Sequence, residues 1–451
     1  MSAPGTTAAP IVTAGRPSTR DRLVALAVLV AALLVYVPTA AYHQIHIDVE
    51  AATAESWHIA ATGDPDLTGD LTAKMATNKF FGETADGRVV GMRMAGPVLA
   101  ALPFYWLAGA DTDHFGYGPG AVAAAAVTAV TVLLLFLALR RRLPERTALV
   151  ATAVVALGTP TWSVSANMMW THTVTQLGLA GAAWALGRGR WWWAGLFLGV
   201  GMLGRPHIAL VAALLGLGLL LSRRSLRPAI GLAVPTVVTL GALAVWNHWM
   251  FGIWSVGGAY AGKGAAAAEG FSGSEEWHGR FPQLVNVAGF LFSPDKGLLV
   301  WTPLLLVLLP AVVRAWRQVP DWSRWLAVGG VLYTAAQLRI NYFPGGDGFY
   351  GYRHGLELLT CLVPLYAYSW HRAGRTARRW TPLVVGLQVS AISLGACLDG
   401  FYVRLQDVWT DNGVLAGLRV APALTIGWFV LGTALALKVA HDLRTAPVDA
   451  N

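Results

Sequence analysis

The run Pro119-Gly-Ala-Val-Ala-Ala-Ala-Ala-Val-Thr-Ala-Val-Thr-Val-Leu-Leu-Leu-Phe-Leu-Ala-Leu139 carries no charge and ends on Arg140-Arg-Arg142. An uninterrupted apolar stretch of about 20 residues matches the hydrocarbon core of a bilayer. A basic cluster directly after it marks the end retained in the cytoplasm. Together the two features set class and orientation. Comparable runs recur along almost the whole chain of 451 residues, of which 55% are hydrophobic and 13% charged, a composition that ordinary soluble domains do not reach. The runs are long and continuous, unlike the short alternating segments of a membrane barrel. The expected fold is all-α, a polytopic membrane protein of roughly 12 transmembrane helices.

A net charge of +9 would suit nucleic acid, but its placement argues against that partner. The arginines fall in short clusters between apolar runs: Arg140 to Arg142, Arg188 and Arg190, Arg223 with Arg224 and Arg227, Arg314 with Arg317, and Arg372 through Arg379. Acidic residues concentrate in the alternate connections, among them Asp48, Glu50, Glu55, Asp64, Asp66, Asp70, Glu275, Glu276 and Asp347. That alternation is the positive-inside pattern. The two cysteines, Cys361 and Cys397, both fall inside expected spans and read as packing residues.

Residues 1–22 read as a disordered cytoplasmic tail, 23–441 as a single transmembrane domain and 442–451 as a second cytoplasmic tail. Span one is expected over Leu23–Tyr42. Residues 42–118 then form a long first extracytoplasmic loop, with an interfacial helix over Val49–Thr62 and a re-entrant or interfacial one over Gly96–Gly109. Counting 96–109 as a full span would invert every later loop; rejecting it makes all the arginine clusters cytoplasmic. Later spans are expected at 119–139, 147–165, 172–187, 228–250, 297–313, 325–341, 355–370, 381–398 and 415–437. Residues 191–221 form two short helices meeting at Gly204-Arg205-Pro206. Residues 251–296 make a second large outer loop.

Two outer stretches carry chemistry. His46-Ile-Asp48-Val-Glu50, followed by Trp57 and His58, lies directly after span one. A carboxylate at the membrane surface beside apolar bulk suits deprotonation of an acceptor hydroxyl, although acidic residues in outer loops are more often solvated charge. Tyr342-Phe-Pro-Gly-Gly-Asp347-Gly-Phe-Tyr-Gly-Tyr352-Arg353-His354 enters span ten. Its glycines permit close backbone approach to a ligand, and Arg353 could clamp a phosphate; the alternative is an i,i+4 ion pair with Glu357. Arg205 and Lys296 lie on the same side, where converging cations would stabilise a phosphate leaving group. Trp162, Trp170, Trp246, Trp249 and Trp254 read as an outer aromatic belt, with sugar stacking as the alternative. No Walker loop, dinucleotide fingerprint, HExxH or nucleophile elbow is present.

These residues resemble bacterial membrane glycosyltransferases of the GT-C superfamily, which includes the dolichyl-phosphate-mannose protein mannosyltransferases and the aminoarabinose transferases. The likeness is carried by Asp48 and Glu50 after span one, Asn78-Lys-Phe-Phe-Gly with Asp86-Gly-Arg, and Ala95-Gly-Pro-Val-Leu-Ala-Ala-Leu-Pro-Phe-Tyr. It continues, in collinear order, through Trp170-Thr-His172-Thr, Gly204-Arg-Pro, Phe292-Ser-Pro-Asp-Lys296-Gly-Leu-Leu-Val-Trp-Thr-Pro and Gly345-Gly-Asp-Gly-Phe-Tyr-Gly-Tyr-Arg353. Many members place the two carboxylates side by side, whereas Val49 separates them here.

The resemblance implies a GT-C-like fold in the bacterial plasma membrane, both termini cytoplasmic, and an extracytoplasmic active site. It implies inverting transfer from a polyprenyl-phosphate sugar to a cell-envelope acceptor; the Ala-, Gly- and Arg-rich composition is associated with bacteria in which mannose and arabinose donors are common, and the sugar and acceptor stay open. Asp48 would be the base and Glu50 the orienting or acceptor-binding group, with the assignment between them open. Arg353, Arg205, Lys296 and His354 would meet the donor phosphate, and His46, Trp57, His58, Asp347, Tyr352 and His172 the substrates. No cofactor is fixed: some members use a divalent cation, and no ligand spacing here is specific enough to claim one. A transporter or lipid flippase also needs many spans and buried ions, but its site would lie near the midplane; a non-catalytic scaffold is the third reading. The topology is tested by a cysteine placed within 110–118, which should react with an impermeant thiol reagent added outside intact cells. Protection there, with labelling near Arg141, would invert the topology.

Overall fold

The computed structural model describes residues 18–43, 46–70, 77–261 and 282–445. The N-terminal tail over 1–17, part of the second outer loop (262–281) and the C-terminal end from 446 lie outside the described residues. Helix α1 (Thr19–Tyr36) begins at a capping box in which Ser18 and Asp21 each bond the other's backbone N–H. The expected tail of 1–22 is therefore shorter, and the expected span ends earlier than Tyr42.

Among the described residues, five helices are long and apolar enough to cross a membrane: Gly118–Leu139, Pro206–Arg223, Leu226–Phe251, Arg375–Leu398 and Pro422–Asp442. The first (α4) is 67% enclosed by protein along its most apolar window, and the last only 6%. Between and around them run α5 (Glu145–Gly158), α6 (Thr171–Leu186), α7 (Trp191–Gly204), α8 (Ala209–Arg223) and α9 (Leu226–Phe251). The expected helix pair over 191–221 is present. Gly204 ends α7, Arg205 is extended (φ −147°, ψ 107°), and Pro206, which has no N–H to leave unpaired, opens the next turn.

In the second half, a helix over Pro282–Phe292 (α10) lies within the expected outer loop. The expected span at 297–313 is broken at Thr302-Pro303, leaving the longer helix α11 over Leu304–Ala315. Then come α12 (Asp321–Ile340), α13 (Leu356–Ser369) and α14 (Arg375–Leu398). The expected last span splits at Ala421 into α15 (Gly413–Val420) and α16 (Pro422–Thr445). Cys361 is buried as expected, but Cys397 is exposed.

The basic connections gather at one end. Arg20 reaches Glu145 (3.2 Å), Arg140 reaches Asp21 (3.3 Å), Arg223 grips Asp321 (2.6 Å) and Arg372 donates to Gln318 (2.7 Å). The opposite end is built from the first long loop. There α2 (Ile47–Thr62) is followed by an antiparallel hairpin, β1 (Phe81–Glu83) with β2 (Val89–Gly91), and by α3 (Ala95–Leu107). Helix α2 is not the one-sided interfacial helix expected, because every residue from Val49 to His58 is buried. The hairpin covers one side, α3 a second through Ser56 Oγ donating to Val98 O, and α4 a third at Gly120 against Thr53. Helix α3 has 13 residues, a length comparable with α5, α7, α11 and α13.

Close helix packing rests on small residues. A Cβ on Gly178 of α6 would lie 2.4 Å from the Gly201 backbone of α7. Gly178→Val is therefore expected to destabilise by about 1–3 kcal/mol, whereas Gly241→Ala, which meets nothing within 4 Å, should not. Thermal unfolding in detergent checks the pair.

Candidate functional site

His46 caps α2: its Nδ1 accepts from the Asp48 N–H at 3.0 Å, which fixes the first turn and aims the Asp48 side chain. Arg93, on the link between β2 and α3, donates from Nη2 to Asp48 Oδ1 (2.9 Å). Arg353 donates from Nη1 to Oδ2 (2.8 Å). Both guanidiniums rest on aromatic faces. Arg93 sits 3.4 Å from the Phe80 ring centre, and Arg353 lies 4.7 Å from Trp170 and 5.3 Å from Phe349. Arg353 also donates to Gly345 O. It does not pair with Glu357, so the i,i+4 alternative fails.

Burial alone would raise the Asp48 carboxyl, but Arg93, His46 and Arg353 hold it below the usual carboxylate range. Burial pushes His46 down to about 4 and His354 well below its ordinary value, so both rings are neutral at pH 7.

The glycine-rich loop is shaped by backbone that other residues rarely adopt, with Gly345, Gly346, Gly348 and Gly351 all at positive φ. A Cβ on Gly346 would meet His46 Nε2 at 2.8 Å, and one on Gly345 would meet His354 Nε2 at 2.9 Å. The close backbone approach expected for a ligand is made here to the site's own side chains.

A second layer lies against the first. Arg205, projected by the break after α7, donates to Gln337 Oε1 (3.0 Å) and to His172 Nε2 (2.9 Å). Arginine can only donate, so His172 Nε2 is the acceptor and its Nδ1–H donates to Glu357 Oε1 (2.7 Å). Arg205 Nε lies 3.6 Å from the same carboxylate oxygen. The His354 ring is 5.9 Å from that of His172.

Asp48, Arg353, Arg205, His46, His172 and His354 thus come together, and the other expected residues lie apart. Glu50 is turned away: Asn78 Nδ2 (2.9 Å) and the Tyr117 hydroxyl (2.8 Å) donate to its two oxygens. Trp57 bonds Asp111 O, and His58 lies 3.2 Å from Asp70, two or more helical turns along α2. Lys296 is 1% exposed, paired with Asp295 (2.9 Å) and donating to Phe349 O (3.0 Å). Tyr352 bonds Thr302 beneath the loop, and Asp347 is exposed on it. Trp162 and Trp170 are buried, leaving Trp249 and Trp254 as the exposed outer tryptophans.

Arg93 and Gln337 were not anticipated. Arg93 had one signal, an arginine in a loop on the side where the positive-inside rule disfavours it. Among the described residues no group of three or more His, Cys, Asp or Glu side chains could hold a metal ion. With both Asp48 oxygens on guanidiniums, the arrangement does not fit a divalent cation there.

No family model and no curated protein matches the chain. Among solved structures it is similar to the oligosaccharyltransferase AglB of Archaeoglobus fulgidus. With AglB in complex with an inhibitory peptide and a dolichol-phosphate, identity is 12% over 93% of this chain and 56% of that one, at TM-score 0.43. With the apo form the values are 12%, 96%, 59% and 0.44. The chain spans little more than half the length of these proteins.

The depressed His46 sets a pH dependence. Its folded pKa of about 4 lies below the usual 6.5, so the unfolded chain binds the proton first and stability falls as pH drops from 6.5 toward 4. The loss should be on the order of 2 kcal/mol by pH 5. His46→Asn, which keeps a capping acceptor without the titration, should lessen the pH 7 to 5 decline in unfolding temperature, the remainder coming from other buried histidines such as His354.

Proposed function

We propose that the protein is an inverting glycosyltransferase that moves a sugar from a polyprenyl-phosphate donor to a cell-envelope acceptor. The observation carrying this reading is Arg353: its buried guanidinium bonds Asp48 and Gly345 O and keeps an Nε–H with no acceptor. A buried cationic donor left unmatched is costly unless an anion joins it. A phosphodiester supplies such an acceptor.

A cleft of about 360 Å³ supports a lipid-linked donor. It is lined mostly by apolar side chains of α5, α11 and α13, together with Thr147, Thr159, Thr302, Arg146 and Trp370 and with Thr381 and Gln388 of α14. Thr302 is the partner of Tyr352, the residue before Arg353. A polyprenyl tail in this cleft would bring its phosphate toward the arginines. The polar cluster at the end opposite the basic loops supports an extracytoplasmic site and argues against transport through the midplane. In this reading the chain crosses the membrane twelve times and both termini are cytoplasmic.

In the reaction, Asp48 takes the acceptor hydroxyl proton while the acceptor oxygen attacks the anomeric carbon from the face opposite the phosphate. The carbon–phosphate-oxygen bond breaks, its electron pair leaves with the polyprenyl phosphate, and the configuration inverts. The phosphate then carries two negative charges, which Arg353 and Arg205 stabilise. Glu50 acts as a positioning residue that holds Asn78 and Tyr117 against α2. Asp48→Asn should lower transfer of radiolabelled sugar from a panel of polyprenyl-phosphate donors by about 10²–10⁴-fold, with Glu50→Gln milder. Undiminished transfer by Asp48→Asn would overturn the assignment.

A further inference from the structure

A general base needs a free lone pair directed at the proton it removes. Asp48 is engaged at both oxygens, Oδ1 by Arg93 and Oδ2 by Arg353, which occupies one lone pair of each and lowers the basicity of the other. It is nonetheless the most accessible member of the bridge, with 17% side-chain exposure against 12% for Arg93 and 8% for Arg353. His46, His172 and His354 complete its ionisable surroundings.

The two guanidiniums are not equivalent. Arg93 stacks on Phe80 in the hairpin lobe. Arg353 neighbours Arg205, whose positive charge acts on it, and His354. Its Nε is buried without a hydrogen-bond acceptor. An entering anion finds at Arg353 a buried donor without an acceptor. Because both guanidiniums are stacked on rings, exchange takes place by movement of the carboxylate.

We infer that Asp48 is masked in the resting protein and is unmasked by the donor: the phosphodiester displaces Asp48 Oδ2 from Arg353, while Arg93, as a positioning residue, keeps Oδ1. This rests on the proposed function and adds an order to it. The base becomes competent only after the donor is seated, so an acceptor or water arriving first meets a carboxylate with both oxygens engaged.

The exchange makes Asp48 a competitor of the donor. Purified full-length protein in nanodiscs should bind polyprenyl phosphate about 10-fold more tightly as Asp48→Asn than as wild type, although the variant does not transfer sugar. Unchanged or weaker binding by the variant would overturn the exchange and leave the function standing. Failure of both proteins to bind polyprenyl phosphate or inorganic phosphate would overturn the phosphodiester reading itself. Binding of inorganic phosphate with the same tightening would support exchange and identify the phosphate group alone as the displacing ligand.

A wild-type measurement guards against misfolding of the variant. Carbodiimide modification of Asp48, read by mass spectrometry, should rise several-fold when polyprenyl phosphate is added; protection or no change would refute unmasking. For Arg93, Arg93→Gln should lower kcat without raising the donor KM, and Arg93→Lys should restore part of kcat. A donor KM raised as much as by Arg353→Gln would make Arg93 a phosphate ligand and contradict the assignment.

Discussion

The Arg93–Asp48–Arg353 bridge joins three segments distant in sequence: the start of α2, the link after the hairpin, and the glycine-rich loop before α13. A buried carboxylate between two guanidiniums is stable only with close geometry, because each ion has given up water. Much of the surrounding structure supplies that geometry. His46 caps α2 and so fixes Asp48, Phe80 holds Arg93 flat, and Trp170 with Phe349 holds Arg353. Gly91 lets the hairpin lie directly on α2, where a Cβ would meet Ala51 O at 2.7 Å.

The second layer depends on the broken helix. A continuous α7–α8 helix would leave Arg205 no extended residue from which to project; Pro206 forces the break, and the side chain then reaches Gln337, His172 and Glu357. His172 is consequently locked in one tautomer, with no acceptor nitrogen left for another proton. The layer supports Arg353 from behind without sharing its carboxylate. Anchoring from the other side comes through α10, whose Asn286 binds Leu338 O, Asn341 O and the Phe343 N–H at the start of the glycine-rich loop.

What was legible in the sequence follows the range of the signal. Span length, arginine clusters and the Gly-Arg-Pro break are local: the long helices Gly118–Leu139, Leu226–Phe251 and Arg375–Leu398 overlap expected spans, and the break stands at Arg205, although the last expected span is split at Ala421. The pairing of Asp48 with Glu50 was misleading for a geometric reason. Once α2 begins at Ile47, two residues of helix turn the chain by about 200°, which sends the two carboxylates to opposite faces. The Asp48 face meets the arginines, and the Glu50 face meets Asn78 and Tyr117. Arg93 and Gln337 were invisible because their meaning is a contact with residues 45 and 132 positions away.

Lys296 shows how a lysine and an arginine differ in this loop. Its ammonium is a compact point charge, and one carboxylate, one carbonyl and the Phe349 ring account for it, so it holds the loop and offers nothing further. Arg353 has five donors in a planar fork, which allows it to bind Gly345 O and Asp48 at once, stack on two aromatic rings and still retain an unmatched Nε–H. One residue can therefore shape the loop and present charge to a ligand. A lysine at position 353 would have to choose between those roles, and the loop, which already uses Lys296 as its structural cation, depends on Arg353 for the other.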